Sequence, residues 1–170
     1  MKEVFDMGGG VREGRKIYAD ERHQPNLPSY RQAQRSIGEY TKPRVFISFH
    51  IDDEAQINFL RHQAKNSDQL EFIDYSVKEP FDEKWKTQSA DRIKRCSVMI
   101  VAIGEHTCQR PAVDWEIRKA HELGIPVIGM RIHSDAHDKV PQAMIEHGDK
   151  VVPWKLETIQ SELDRARSVD

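Results

Sequence analysis

The sequence predicts a doubly wound α/β domain, with a five-stranded parallel sheet in the order 2-1-3-4-5 between two layers of helices. Three observations carry this expectation. From Pro43 onward short apolar runs alternate with amphipathic stretches, and strands separated by helices need crossovers, which make parallel sheets. The run Val98–Ile103 is apolar on both faces, as a central strand covered by helices must be. The amphipathic stretches open on aspartate or proline, and the one after Val98–Ile103 closes at Gly124; these are helix start and stop signals.

Residues 1–42 stand apart. They hold Gly8-Gly9-Gly10, Gly14, Pro25 and Pro28, few large apolar side chains, and no sustained period. The expectation is a flexible or partner-ordered arm over 1–42, followed by one domain over 43–170. Gly14-Arg15-Lys16 lacks the Gly-Lys-Ser/Thr ending of a phosphate loop.

Val45–Phe49 is expected as the first strand. Asp52 or Asp53 then caps a helix carrying Ile57, Leu60 and Ala64, with Gln56 placed for a capping box with Asp53. Leu70–Asp74 reads as the second strand, and Pro80-Phe81-Asp82 as the start of a helix through Trp85, Ser89 and Ile93. Val98–Ile103 is the third strand. Pro111 suits a first helical turn, and Val113, Ile117 and Ala120 set a buried stripe until Gly124. Val127–Met130 and Val151-Val152 complete the sheet, and Leu156, Ile159, Leu163 and Ala166 mark the last helix. The stretch from Ile132 to Lys150 fits no element.

The 170 residues carry a net charge of −2, which offers no global attraction to nucleic acid or acidic lipid. No apolar run approaches the ~20 residues that span a bilayer, and the first residues lack a signal peptide's apolar middle. Cys96 and Cys108 are the two cysteines, expected as free thiols in a reducing cytoplasm. The chain is therefore expected to be cytoplasmic, with neither nucleic acid nor membrane as a partner.

In such sheets ligands bind beyond the carboxyl ends of the strands, where strand order reverses between the first and third. Ser48, Phe49 and His50 end the first strand, with Asp52 and Asp53 just beyond. Phe49 stacks on a base there while Ser48 or His50 bonds a ribose or phosphate; otherwise Phe49 is core and the aspartates only cap. Trp85 and Trp115 stack on a ligand ring or pack helices. Glu116 borders the stripe of Val113, Ile117 and Ala120, just past the third strand. It is either a partly desolvated carboxylate fit for chemistry or a surface glutamate paired with Lys119. His133-Ser134-Asp135-Ala136-His137 has no third ligand placed to complete a metal site, so no metal is expected.

With these residues assembled, the chain from Pro43 to about Arg165 resembles the TIR-like proteins, small bacterial domains related to Toll/interleukin-receptor domains. The TIR-like component of Thoeris antiphage systems is the particular likeness. Arg44-Val45-Phe46-Ile47-Ser48-Phe49-His50, Ala102-Ile103-Gly104, and Thr107 to Arg110 leading into Val113-Asp114-Trp115-Glu116-Ile117 carry it. The resemblance implies a flavodoxin-like, TIR-like three-layer sandwich. It implies a cytoplasmic enzyme of antiviral defence that takes NAD as substrate and needs no cofactor. Such an enzyme releases nicotinamide and makes a cyclic or otherwise modified ADP-ribose signal. It also implies a homo-oligomer, a phage-derived trigger and a separate downstream effector. By motif the catalytic glutamate falls on Glu116, the pocket at the first strand's end on Phe49 and His50, and an aromatic of the second helix on Trp85. The family's tryptophan a few residues before the glutamate is missing, since Ala112 and Val113 stand there, although Trp115 is adjacent.

The chemistry agrees with that implication. Breaking the nicotinamide–ribose bond passes through an oxocarbenium-like state, and the leaving group is already a cation that needs no general acid. One carboxylate facing the developing charge suffices. A phosphoacceptor receiver needs an aspartate where Ile103-Gly104 stand, and Asp52-Asp53-Glu54 would repel a flavodoxin's phosphate. Two alternatives stay open: a nucleoside deoxyribosyltransferase-like enzyme, and a non-catalytic TIR-like adaptor acting by self-assembly.

Overall fold

The computed structural model describes residues 42–74, 84–134 and 137–167. The expected arm, and the expected helix start at Pro80-Phe81-Asp82, lie outside the described residues. The elements are β1 (Arg44–Ser48), α1 (Glu54–Asn66), β2 (Ile73–Asp74), α2 (Trp85–Ile93) and β3 (Val98–Ile103). They continue with α3 (Pro111–Glu122), β4 (Val127–Arg131), α4 (Gln142–His147), β5 (Lys150–Pro153) and α5 (Leu156–Arg167). The five strands form one sheet in the order β2-β1-β3-β4-β5, and every pairing is parallel. The expected topology is the observed one.

All six residues of β3 are buried, as its uninterrupted apolar run requires of the strand at the centre. Alternation along β1 sends Val45 and Ile47 into one apolar layer with Ile57 and Leu60 of α1 and Ile159 and Leu163 of α5. Phe46 goes to the opposite layer, with Ile93 of α2, Val113 and Ile117 of α3, and Met144 of α4. Each fully buried side chain of this size contributes about 1.5–3 kcal/mol. Gly129 of β4 lets the second layer close: a Cβ there would come within 2.8 Å of Ile103 and of Met144. Pro111 opens α3 at its first position, and Gly124 at φ 71° follows its end.

Three local features differ from expectation. The second strand shrinks to Ile73–Asp74, because the amide of Glu71 donates to the Gln160 side chain of α5 at 2.8 Å instead of joining the ladder. The unplaced stretch contains α4, with Ala143 and Met144 buried and Gly148 in the left-handed conformation after it. The capping box before α1 is not formed: Asp53 makes no side-chain cap bond. His50 caps the preceding tight turn instead, its Nδ1 accepting from the Asp52 amide at 3.0 Å.

Candidate active site

Ser48 is the last residue of β1 and has the parity of Phe46, so it faces α2 and α3. Its hydroxyl donates to Glu116 Oε2 at 2.6 Å, a short charge-assisted bond. From α2, Ser89 reaches the other carboxylate oxygen at 3.4 Å. Both serines are buried, and Glu116 is only 8% exposed. Its surface alternative fails, because Lys119 pairs with Glu122 one turn on.

Burial of Glu116 lifts its carboxyl to about 7, against the opposing pull of the two serine hydroxyls. Around neutrality this group is thus poised between its neutral and charged forms. On the same two helices, Trp85 at the start of α2 and Trp115 on α3 pack edge to face, centroids 5.1 Å apart at 72°. Lys86 places its ammonium 5.7 Å from the Trp85 ring centre and 5.8 Å from that of Trp115, and Lys119 stands 5.9 Å from the latter. Glu116 and its two serine hydroxyls thus lie where α2 and α3 face the end of β1, and the same two helices carry the tryptophan pair with its two ammonium groups.

The other expected residues lie elsewhere. Phe49 has the opposite parity, packs against the layer of α1 and α5, and lies under the Arg61 guanidinium at 5.7 Å. His50 is buried and meets His106 edge-on at 5.9 Å, above the ends of β1 and β3. Asp52 is exposed on the turn. The structure thus bonds Ser48 to Glu116 and packs Trp85 on Trp115, and it sends Phe49 to the opposite layer and Asp52 to an exposed turn.

The sequence reading gave two polar groups other parts. Ser89 is one; its signal is a hydroxyl in the otherwise apolar Trp85–Ile93 stripe. Asp53 is the other, a buried carboxylate lying over Gly104, whose missing Cβ leaves the room. The Thr107 hydroxyl accepts from the Gly104 amide at 2.9 Å and has the Ala102 carbonyl and Asp53 as its acceptors, at 3.1 and 3.4 Å. Burial raises the Asp53 carboxyl, opposed by His50 and His133 nearby. His133 is bonded to Asp138 at 2.8 Å, and among the described residues no three His, Cys, Asp or Glu side chains converge as a metal site. Cys96 and Cys108 are free; burial pushes the Cys96 thiol up to about 12, which makes it inert. No described helix is long and apolar enough to cross a membrane.

The chain is a doubly wound α/β protein with a buried, hydroxyl-held carboxylate beyond the end of its first strand. Residues 46–137, more than half of the chain, match the family described as Thoeris protein ThsB, TIR-like domain, and the chain belongs to that family. This agrees with the likeness read from the sequence, and ties the chain to antiphage systems. No curated protein matches it. Among solved structures it is similar to the CMP N-glycosidase BcmB of Clostridium botulinum, at 20% identity and a TM-score of 0.45, covering 71% of this chain and 98% of that one. It is also similar to a 3-dehydroquinate dehydratase-like protein of Bifidobacterium longum, at 11% identity and a TM-score of 0.43, covering 76% and 98%.

Proposed function

We propose that this protein cleaves the nicotinamide–ribose bond of NAD at Glu116 and releases an ADP-ribose-type product, cyclic or linear, as a signal to a separate effector in antiviral defence. The observation that carries this reading is the buried carboxylate of Glu116, bonded to Ser48 at 2.6 Å between the two helices that carry the packed Trp85 and Trp115 rings.

The roles follow from the chemistry. Ionised Glu116 faces the positive charge that develops at the ribose, in a setting where burial strengthens the interaction. Ser48 and Ser89 fix the two carboxylate oxygens so that no reorientation is needed at the transition state. The tryptophan faces hold the departing pyridinium ring, and Lys86 and Lys119 offer positive charge to the substrate's pyrophosphate. Nicotinamide leaves with the bonding electron pair, so no proton need be supplied. Water or a nitrogen of the adenine then attacks the ribose carbon, giving linear or cyclic product.

The test is incubation of the purified full chain with NAD, with and without a phage-derived trigger, with nicotinamide and ADP-ribose products separated chromatographically. Turnover by the wild type that is lost in Glu116→Gln is the expected result. A wild type inactive under every trigger supports the adaptor role instead.

A further inference from the structure

A cavity of about 570 Å³ opens beyond the carboxyl ends of β4 and β5, whose last residues, Arg131 and Pro153, pair in register. In its wall, Ile132 and Val152 belong to the apolar layer of α1 and α5, whereas Val151 belongs to the layer of α2, α3 and α4. The cavity therefore caps the strand ends, the side of an open parallel sheet on which ligands bind, rather than lying over one face. Its size is that of a small-molecule site, ~300–1,000 Å³. Ser48, Ser89 and Glu116 are not among its lining residues.

The charge around it has one sign. Arg131, His133 and Lys155 line the cavity and no acidic residue does, in a chain with 28 acidic residues against 26 basic ones. The adjoining cavity, which shares His133, mixes Glu105 and Asp138 with Lys139. Arg131 is half-buried, and its Nη1–H donates to the backbone carbonyl of Asp138 at 2.7 Å. That bond orients the guanidinium without neutralising it, and leaves other N–H donors of the fork that grips a phosphate. His133 is already bonded to the Asp138 carboxylate at 2.8 Å. Among the described residues neither Arg131 nor Lys155 takes part in an ion pair. Two unmatched positive charges suit one phosphate monoester, which carries about −1.5 to −2 at neutral pH.

Trp154 adds an aromatic wall. Its ring is fixed, because Nε1–H donates to Gln63 Oε1 at 2.9 Å and Phe59 lies beside it with centroids 6.1 Å apart. Together with Val151 and Val152 it offers apolar surface to a flat ring. A free phosphate would leave that surface bare, and an apolar ligand would leave the cations unmet. We propose that this cavity binds a nucleoside monophosphate, with its base against Trp154 and its phosphate between Arg131 and Lys155. The site is separate from Glu116, and the inference stands whether or not the chain cleaves NAD.

Isothermal titration calorimetry of the full chain with AMP, UMP, adenosine and inorganic phosphate tests it. At least one of the two nucleotides binds with a Kd of about 10–300 μM, and adenosine and phosphate each bind at least ~10-fold more weakly. Lys155→Glu, at an exposed position, and Arg131→Gln each weaken the nucleotide ~10-fold or more and leave adenosine unchanged. Trp154→Leu weakens nucleotide and adenosine alike and leaves phosphate unchanged. Circular dichroism confirms that each variant is folded, and the exposed Lys155→Glu carries the test if Trp154→Leu is not. No nucleotide binding up to about 5 mM overturns the inference. Phosphate held as tightly as the nucleotide overturns it too. Nucleotide binding indifferent to Lys155→Glu and Arg131→Gln but lost in Trp85→Ala would belong to the Trp85–Trp115 pair and likewise overturns it.

Discussion

The hydroxyl of Ser48, at the end of the first strand, donates to the carboxylate of Glu116 at 2.6 Å across 68 residues of sequence. The bond favours the ionised form of a carboxyl that burial, even against this opposing pull, lifts to about 7. A hydrogen bond to a charged group is worth about 1.5–3 kcal/mol, or about one to two units of pKa. In Ser48→Ala the rising limb of activity against pH therefore moves upward by about one unit or more. A profile recorded from pH 5 to 9 should show that shift together with a lower plateau, because the carboxylate has lost one of its two anchors. An unmoved limb with a lower plateau would assign Ser48 a purely steric part.

Glu116→Gln should lower NAD cleavage by ~10²–10³-fold, the usual loss when one well-placed electrostatic group is removed. The same change should stabilise the fold at neutral pH. The folded pKa of about 7 lies above the ordinary value of 4.5, so the wild type has its full stability below about pH 4.5 and loses it as pH rises towards 7. Glutamine carries no such penalty. The gap between variant and wild type therefore opens between about pH 4.5 and 7, to an upper bound on the order of 3 kcal/mol. Chemical denaturation at pH 5 and pH 8 measures it, and equal gaps at both would contradict the buried setting of the carboxylate.

Gly104→Ala places a methyl group 2.5 to 2.8 Å from the Asp53 carboxylate. Asp53, the turn after β1 and its contact with Thr107 must then shift, at a cost of about 1–3 kcal/mol. Thermal unfolding of the single variant should show that loss. Adding Asp53→Ala should recover part of it, because the clash and the two side chains form one coupled unit. Additive losses would place the strain elsewhere.

Trp85→Ala and Trp115→Ala each remove one ring of the edge-to-face pair. The expected effect is a KM for NAD raised about tenfold or less, in line with the ~0.5–1.5 kcal/mol of an aromatic pair, with kcat changed less. Phenylalanine at either position should recover most of the affinity. A fall confined to kcat would move the pair from binding to the chemical step.

The sheet was legible because β1, β3 and β4 are short apolar runs set between helical periods, and the parallel order follows from the crossovers. Glu116 was legible as the acid bordering a buried stripe in the first turns of α3. The separation of Ser48 from Phe49 was also readable in principle, since neighbouring strand residues face opposite layers. Asp53 was not. An aspartate ahead of a helix usually caps it, and only the empty space over Gly104 turns this one inward. Ser89 gave a faint signal, one hydroxyl in an apolar stripe, whose meaning depends on what α3 presents across from it. The short β2 escaped as well, because it is a side chain of α5 that takes the Glu71 amide out of the ladder.

The carboxylate's two hydroxyl partners lie 68 and 27 residues before it in the chain. Neither contact is local, so neither exists in a partly made polypeptide. During synthesis β1 and α2 leave the ribosome before α3, and the three meet only once the central strand is in place to bring them together. Glu116 emerges as an ordinary solvated glutamate with no special affinity for a proton. Its altered acidity is thus a property of the finished packing, and its titration curve reports whether a given molecule has completed folding.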